Sequence, residues 1–266
     1  MTTPTRSIPA SATGATAPVA EHRRVELEGV TVDDIGFDAA VDALIDWARD
    51  GSGGYMVTTN VDYLVRAHRD PAFRRLLEGA RLRVPDGMGV VYGARLAGRA
   101  LRGTVTGRLL PQAVARRAGA PPIALMGGLP GAGELAARRL EKHGAQVVLH
   151  TSPPMGFEIG GTEDMAAVER LRDARPGIVF VGLGSPKQDR WMAAHAADLP
   201  GVAMVGIGAG IDVLGGMQPE APGWMTRVGV EWAYRLFHDP RRLARRYLWD
   251  DPRFFWWMWR ARRSAS

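Results

Sequence analysis

Short apolar runs bounded by glycine, proline or polar residues recur along the chain from about Val25. Runs of this kind are typical of strands that are buried in a sheet. They are Tyr55–Thr59, Pro122–Met126, Gln146–His150, Ile178–Val181 and Val202–Ile207, with a shorter one at Val25–Leu27. We expect these segments to form one sheet.

Segments with helical spacing lie between the apolar runs. Their apolar residues recur every three or four positions, which predicts amphipathic helices. The predicted helices are 38–49, a single helix from Val61 past Leu77, 89–96, 132–143 and one through Trp191. Strands that alternate with helices predict an α/β fold. We expect a Rossmann-like core with a mainly parallel sheet, which binds its ligands at the carboxyl ends of the strands.

The two ends of the chain differ from this pattern. Residues 1–22 are mostly Thr, Ser, Ala, Pro and Gly without a period, which is typical of a disordered leader. Residues 23–218 carry the α/β pattern. From 219 to 266 the strands stop and helices are predicted, so we expect a helical, basic and aromatic appendage there.

Composition excludes several classes of protein. The chain has 266 residues, of which 46% are apolar, and it has no cysteine. This rules out disulfides, thiolate metal sites and cysteine nucleophiles, and it fits a reducing compartment. No run approaches the roughly 18 apolar residues of a membrane span, and Met1–Ala20 lacks the apolar centre of a signal peptide. We therefore expect a cytoplasmic protein.

The positive charge is concentrated near the carboxyl terminus. The formal net charge is +6, and the last 48 residues hold ten arginines against five acidic residues and six of the eight tryptophans. A segment of this kind forms either a solvated helical face with a buried aromatic stripe or a surface for anionic lipid, nucleic acid or phosphate ligands. Composition alone does not choose between these alternatives.

Three glycine-rich turns follow predicted strands, at 127–131, 182–186 and 206–210. Such turns let backbone amides face an anionic ligand, although tight packing alone also explains them. Neither a dinucleotide-binding G-x-G-x-x-G nor a P-loop is present, so an oxidoreductase or a P-loop NTPase is not expected. The six histidines are not spaced as metal ligands. We predict no metal site and no cofactor.

Polar residues stand at several strand ends, where an apolar core would not favour them. They are Thr58, Asn60, Asp86 and the run Ser185–Asp189. Each one alone is explained by a helix cap or a turn. Because they follow different strands, together they predict a shared pocket.

Five segments resemble, in order and spacing, the WecG/TagA/CpsF family of bacterial glycosyltransferases, from about Val25 to about Arg260. They are Val57–Asn60, Val84–Val91, Met126–Gly131, Gly182–Gln188 and Gly229–Leu236. The resemblance implies a hexosyltransferase that moves a sugar from a UDP-sugar to a polyprenyl-diphosphate-linked sugar in cell-wall or exopolysaccharide biosynthesis. The donor sugar in the best-described branch is N-acetylmannosamine, and a related hexose or uronic acid is also compatible.

The resemblance implies roles for individual residues in an inverting, metal-independent transfer. Asp86 matches the base that takes the proton of the acceptor hydroxyl, and Thr58 matches a position near the reacting sugar. Arg235, Arg242 and Arg245 match arginines that neutralise the leaving UDP. The implied substrate-binding residues are Asn60, Gly127, Gly128, Gly184, Pro186, Lys187 and Gln188.

The resemblance also implies partners. The family's tail docks on the membrane, so the protein is expected to be peripheral on the inner face of the cell membrane. The aromatic run Phe254–Trp259 is flanked by arginines and suits an anionic membrane interface. The alternative is a tail packed on its own domain or across a subunit interface. A trimer off the membrane is implied, and nucleic acid is not expected.

Three residues depart from the family's pattern. Thr104 replaces an arginine, Arg108 is a base where the family has an acid, and Glu220 replaces another arginine. Loss of a cation near a diphosphate weakens binding unless another group compensates. The departures indicate either a different donor or acceptor, or a noncatalytic relative that binds nucleotide sugar or lipid in polysaccharide assembly.

Overall fold

The computed structural model describes residues 22–219, Met225, 231–238 and 251–264, and within them it confirms the α/β fold. The strands are β1 Arg23–Leu27, β2 Val30–Asp34, β3 Gly54–Thr59, β4 Leu82–Pro85, β5 Ile123–Gly127, β6 Val147–Thr151, β7 Ile178–Gly182 and β8 Ala203–Gly206. The core helices are α1 Phe37–Arg49, α2 Val61–Arg69, α3 Pro71–Glu78, α4 Met88–Leu96, α5 Leu110–Ala115, α6 Ala132–Glu141, α7 Thr162–Ala174, α8 Lys187–His195 and α9 Gly210–Leu214. The described residues after α9 contain two further helices, Glu231–His238 and the C-terminal helix, Asp251–Ser264.

Six parallel strands form the central sheet in the order β4-β3-β8-β7-β5-β6. Strands β1 and β2 form a separate antiparallel hairpin. Thr59 is paired with Pro85, Val181 with Gly206 and Gly127 with Gly182. The carboxyl ends of these strands therefore meet at one edge of the sheet, as expected of a doubly wound fold.

A hydrophobic core lies on each face of the sheet. Successive strand residues alternate between the two cores, as the pleat requires: Val179 and Val181 face one, and Ile178 and Phe180 face the other. Buried residues of α2, α3, α4, α7, α8 and the C-terminal helix belong to the first core. Those of α1, α5, α6 and α9 belong to the second. Because both faces are covered, the strands read as continuous apolar runs.

The single helix predicted from Val61 past Leu77 is wrong, because the chain breaks at Asp70. Asp70 is extended, with φ −122° and ψ 98°, and its carboxylate accepts hydrogen bonds from the N–H groups of Ala72 and Phe73 at 2.9 and 3.2 Å. It therefore caps α3, while Pro71 occupies a first-turn position that needs no N–H donor. Apolar spacing continues across the break, which is why periodicity alone missed it.

The β1–β2 hairpin anchors the strand that leads to Asp86. Asp33, fully buried, accepts hydrogen bonds from the N–H of Arg83 at 2.7 Å and from its guanidinium at 3.2 Å. Its neighbour Asp34 accepts one from the N–H of Arg102 at 2.6 Å. Neither β2 nor β4 was predicted from the sequence. Together these contacts fix the end of β4 and the start of the segment that contains Thr104.

The C-terminal helix packs on the core across α2 and α4. Phe254 and Met258 are buried, and a Cβ placed on Gly93 of α4 would overlap with the ring of Phe254. Trp257 stacks on His68, with ring centroids 4.1 Å apart. Part of the aromatic run thus forms a buried stripe. Among the helices of the described ranges, none is long and apolar enough to cross a membrane.

Candidate active site

Thr58 lies at the end of β3 and ties this strand to β8. Its side chain is buried, and its hydroxyl donates a hydrogen bond to the carbonyl of Gly206 at 3.0 Å. Gly206 is the last residue of β8 and begins one of the glycine-rich turns. The hydroxyl is therefore held at the edge of the sheet where the carboxyl ends of the strands meet, which we call the carboxyl edge. A ligand bound in the turn would contact the same backbone.

Asp86 follows β4 at the same edge. Its N–H donates to the carbonyl of Thr59 at 2.8 Å, and its side chain is half-buried. Since Thr59 pairs with Pro85, Asp86 and Asn60 are the next residues of two adjacent strands. Gly87 follows with φ +85°, a conformation that favours glycine, and α4 begins directly after it. The edge thus presents a carboxylate beside the N-termini of α2 and α4.

Asn60 caps α2. Its side-chain oxygen accepts a hydrogen bond from the N–H of Tyr63 at 3.3 Å. The cap that explains this residue in isolation is therefore present. A role of Asn60 in binding substrate remains a prediction and would involve the amide nitrogen.

Gly127 and Gly128 are required by close packing. Both have left-handed φ values, +100° and +86°. A Cβ on Gly127 would lie 2.7 Å from the carbonyl oxygen of Gly182, and one on Gly128 would lie 2.7 Å from Cγ2 of Ile211. Side chains at either position would push apart β5, β7 and α9. Contact of this turn with substrate remains a prediction.

Asp212 holds this turn in place and was missed by sequence reasoning. It is largely buried on α9, and its carboxylate accepts a hydrogen bond from the N–H of Leu129 at 2.7 Å. An acidic residue inside the otherwise apolar helix 210–214 was the available signal. Asp212 connects the turns after β5 and β8, so it fixes the relative positions of two segments that border the candidate site.

Lys187 is drawn away from the strand ends. Its ammonium donates to the carbonyl of Phe157 at 2.5 Å and lies 3.4 Å from the centroid of the Phe157 ring. It therefore holds the loop between β6 and α7. The preceding residues Gly184 and Pro186 form the turn into α8; Gly184 has φ +71° and open space around its Cα.

Gln188 is buried beneath the site. Its side-chain oxygen accepts a hydrogen bond from the N–H of Gly208 at 2.9 Å, and its amide nitrogen donates to the hydroxyl of Tyr63 at 3.0 Å. Tyr63 in turn donates to Asp189 at 3.0 Å. Tyr63 was missed because a tyrosine on the apolar face of a helix has the pattern of a core residue.

Asp189 is fully buried, and burial raises its pKa to about 6. The hydroxyls of Ser185 and Tyr63 and the positive charge of Arg66 oppose this shift. A carboxyl group with a raised pKa next to a cleft is a feature of functional sites, although structural networks produce it too. Its position in the polar run Ser185–Asp189 was the signal in the sequence.

Two of the three residues that depart from the family's pattern lie at this edge. The N–H of Val105, next to Thr104, donates to the carbonyl of Pro85 at 2.7 Å. A Cβ on Gly107 would lie 3.0 Å from Cγ2 of Thr58, and one on Gly210 would lie 3.3 Å from the Cα of Arg108. The segment therefore covers Thr58 and places Arg108 beside the turn after β8. Glu220 lies outside the described residues.

The three predicted tail arginines are not placed by the structure. Arg235 belongs to the helix Glu231–His238, but its side chain is not described, and Arg242 and Arg245 lie outside the described ranges. Within those ranges, no group of three His, Asp or Glu side chains is arranged to hold a metal ion. The roles of these arginines remain predictions.

Comparison with known proteins identifies the family. The glycosyl transferase WecG/TagA/CpsF family matches residues 25–266. The N-acetylglucosaminyldiphosphoundecaprenol N-acetyl-beta-D-mannosaminyltransferase of Bacillus spizizenii is 28% identical over 206 residues, 73% of this chain and 74% of the relative. The enzyme of the same name from Staphylococcus aureus is 27% identical over 214 residues, 80% of this chain and 82% of the relative. The match covers nearly the whole chain and includes the strand ends described above, so the protein belongs to the WecG/TagA/CpsF family and is a glycosyltransferase.

Proposed function

We propose that the protein transfers N-acetylmannosamine, or a related hexose or uronic acid, from a UDP-sugar to a polyprenyl-diphosphate-linked sugar. The observation that carries this proposal is the meeting of Thr58, Asn60 and Asp86 at the ends of adjacent strands in a chain of this family. The acceptor class follows from the relatives, whose name specifies N-acetylglucosaminyldiphosphoundecaprenol.

The chemistry assigned to Asp86 is that of a general base. Its carboxylate takes the proton from the acceptor hydroxyl while the oxygen bonds to the anomeric carbon. The bond from that carbon to UDP breaks on the opposite face, and UDP leaves with the electron pair, so the configuration inverts. A positioned base contributes about 10²- to 10⁴-fold to such a step.

Charge at the leaving diphosphate is assigned to arginines and backbone dipoles rather than to a metal. Helices α2, α4 and α8 all begin at the carboxyl edge, where their N-termini attract anions. Arg235, Arg242 and Arg245 are proposed to complete this environment when the tail folds over the site. Arg108 is a further cation at the edge, and its departure from the family's pattern is compatible with a different donor or a different acceptor.

The C-terminal helix supports a peripheral position on the inner face of the membrane. Trp256 and Trp259 are 51% and 40% exposed, although Phe254 and Met258 on the same helix are buried. The guanidinium groups of Arg260 and Arg263 lie 4.8 and 3.8 Å from these indole rings. Indoles and arginines together favour the interface of an anionic bilayer. A trimer off the membrane remains part of the proposal.

Release of UDP tests the proposed reaction. Candidate UDP-sugars are incubated with a polyprenyl-diphosphate-linked N-acetylglucosamine acceptor, and UDP is measured. We expect one donor to be used, and we expect Asp86→Asn to lower the rate by about 10²- to 10⁴-fold. Arg245→Ala is expected to lower it too. Asp46→Asn, at an exposed position of α1, is the matched control.

Two results would contradict the proposal. An unchanged rate in Asp86→Asn and Arg245→Ala would show that the residue roles are wrong. Tight binding of UDP without turnover of any donor and acceptor pair would instead favour the noncatalytic relative.

A further inference from the structure

A chain of buried hydrogen bonds connects Asp189 to the turn after β8. The hydroxyl of Tyr63 donates to Oδ1 of Asp189 at 3.0 Å, and Nε2 of Gln188 donates to that hydroxyl at 3.0 Å. Oε1 of Gln188 then accepts from the N–H of Gly208 at 2.9 Å. All three side chains are buried, so water does not compete for these bonds.

The carboxylate of Asp189 at one end and the N–H of Gly208 at the other end set the direction of the bonds in this chain. An ionised carboxylate only accepts hydrogen bonds, so the Tyr63 hydroxyl must donate to it. The hydroxyl oxygen then accepts from Gln188, which turns the amide nitrogen toward Tyr63 and the amide oxygen toward Gly208. Burial raises the pKa of Tyr63 well above its ordinary value, so its proton stays in place.

The orientation of the Gln188 amide affects the candidate active site through the backbone of Gly206. A Cβ on Gly206 would lie 2.6 Å from Nε2 of Gln188, so the amide packs directly on this backbone. The carbonyl of the same residue accepts the hydrogen bond of Thr58. A change in the amide therefore moves the backbone that holds both Thr58 and the turn through Gly208.

We propose that Asp189 and Tyr63 are positioning residues, which fix the Gln188 amide and through it the turn after β8 for glycosyl transfer. The inference rests on the proposed function. Neither residue needs to touch substrate. A protonated Asp189 accepts the hydrogen bond of Tyr63 more weakly than the carboxylate does, so the chain holds the Gln188 amide less firmly, although the N–H of Gly208 keeps the amide oxygen turned toward it.

The surroundings of Asp189 leave few other groups that act on its charge. Helix α2 contributes Tyr63 and Arg66, and the turn before α8 contributes Ser185. Strand β3 contributes Tyr55, whose pKa is raised by burial and then by the charge of Asp189.

Of the other elements against α8, α3 buries Phe73 and Leu77, and the buried residues of β7 and β8 are apolar. Helix α7 contributes the buried Asp164, whose carboxyl group bonds Trp191 at 2.6 Å and His195 at 2.8 Å, farther along α8.

Nuclear magnetic resonance of the glutamine side chains tests the inference directly. Labelling glutamine amides with ¹⁵N reports Gln112, Gln146, Gln188 and Gln218, and Gln188→Asn assigns the signal of interest. We expect the Gln188 amide protons to titrate with a midpoint near pH 6 in the full chain, the pKa of Asp189. In Tyr63→Phe this titration should disappear, because the ring remains but the hydroxyl link is lost.

Tyr55→Phe is the matched control. Tyr55 is also buried, and its hydroxyl donates to the carbonyl of Leu76 at 2.7 Å, outside the chain that ends at Gln188. We expect the Gln188 titration to persist in this variant. Thermal unfolding of both variants shows whether each folds, and the ring of Tyr63→Phe should still pack against Phe73.

UDP release adds the functional readout. We expect Tyr63→Phe to lower kcat/KM at pH 7.5 by about 10- to 100-fold, since small misplacements are costly in catalysis. We expect the activity of the unmodified chain to decline as pH falls through about 6, and we expect Tyr63→Phe to lose this decline. A purely structural role would lower stability without removing that feature of the pH profile.

The outcomes separate the inference from the proposed function. If Gln188 does not titrate, or titrates equally in Tyr63→Phe, the inference is wrong even where UDP is released. If Gln188 titrates as expected and no donor and acceptor pair releases UDP, the positioning chain stands and the proposed reaction is wrong.

Discussion

The carboxyl edge of the sheet buries polar side chains, whereas the C-terminal helix leaves some of its large aromatic side chains exposed. At the edge, polar side chains are withdrawn from water and tied to backbone, as Thr58 is to Gly206 and Asp212 to Leu129. On the C-terminal helix, large aromatic side chains are divided between burial and exposure, with Phe254 buried and Trp256 half exposed.

The difference shows that composition is a poor guide to which residues are buried. Thr58, Gln188 and Asp212 are stable inside the edge because each has a hydrogen-bond partner, so the cost of removing them from water is offset. Tryptophans remain exposed on the helix because only one of its faces meets α2 and α4. In both regions the groups that a residue contacts, rather than its type, decide whether it is buried.

The largest expected effect comes from breaking the buried face of the C-terminal helix. Phe254→Ala should lower the free energy of unfolding by about 3 kcal/mol or more, because a large buried ring is lost over Gly93. Urea unfolding measures this loss. Trp256→Ala in the same helix is the control, and equal losses in the two variants would show that the two faces do not differ.

A smaller effect is expected from filling the glycine turn after β5. Gly128→Ala adds a methyl group 2.7 Å from Ile211 to a residue with φ +86°, so strain and overpacking should together cost about 2 to 3 kcal/mol. Gly184→Ala has φ +71° but open space, and only the backbone cost of about 1 kcal/mol applies. Thermal unfolding of both variants separates the cost of backbone strain from the cost of overpacking. A loss of stability in Gly184→Ala as large as that in Gly128→Ala would contradict the packing argument.

The buried charge of Asp189 should make stability depend on pH. Burial raises the folded-state pKa from 3.8 to about 6, so the folded state holds the proton more tightly than the unfolded state does. This contribution is complete below about pH 4 and is lost as pH rises through 6. Between pH 4.5 and 7 the unmodified chain should therefore lose about 2 kcal/mol relative to Asp189→Asn.

Denaturant unfolding of the two chains at both pH values measures that difference. Subtracting one chain from the other removes the titration of all other groups they share. A difference that does not change with pH would mean that Asp189 is not the buried, titrating carboxyl group of the edge.

The smallest expected effect on stability comes from the exposed face of the C-terminal helix. Replacing both Trp256 and Trp259 by Ala should change the free energy of unfolding by about 0.5 kcal/mol or less. The same variant should lose most of its flotation with anionic liposomes at low and at high salt, because the indoles insert into the interface. Flotation that depends only on salt would indicate binding through the arginines alone.

Much of the fold could be predicted from the sequence because apolar runs and helical spacing persist over many residues. The strands β3, β5, β6, β7 and β8 and the helices α1, α4, α6 and α8 agree with the prediction. The short strand β4 was missed because Arg83 interrupts its apolar pattern, and only the buried partner Asp33 explains that arginine. The break at Asp70 was missed because a cap is a local contact that periodicity does not report.

The candidate site could be predicted from the sequence only in part. Thr58, Asn60 and Asp86 stand at strand ends, and the topology of a parallel sheet brings such residues to one edge. Tyr63 and Asp212 lie within helices, where sequence spacing suggests only core or surface. Their roles depend on partners 125 residues away, at Gln188, and 83 residues away, at Leu129.

The sequence by itself determined the α/β alternation, the family's motifs and the concentration of arginine and tryptophan near the carboxyl terminus, because these are properties of residues in order. Only the tertiary structure decided that Lys187 holds a neighbouring loop, that Gln188 lies buried in a chain leading to Asp189, and that Phe254 packs inward while Trp256 faces outward. The physical reason is the same in each case: burial and hydrogen bonding depend on which surface a residue meets, and distant parts of the chain supply that surface.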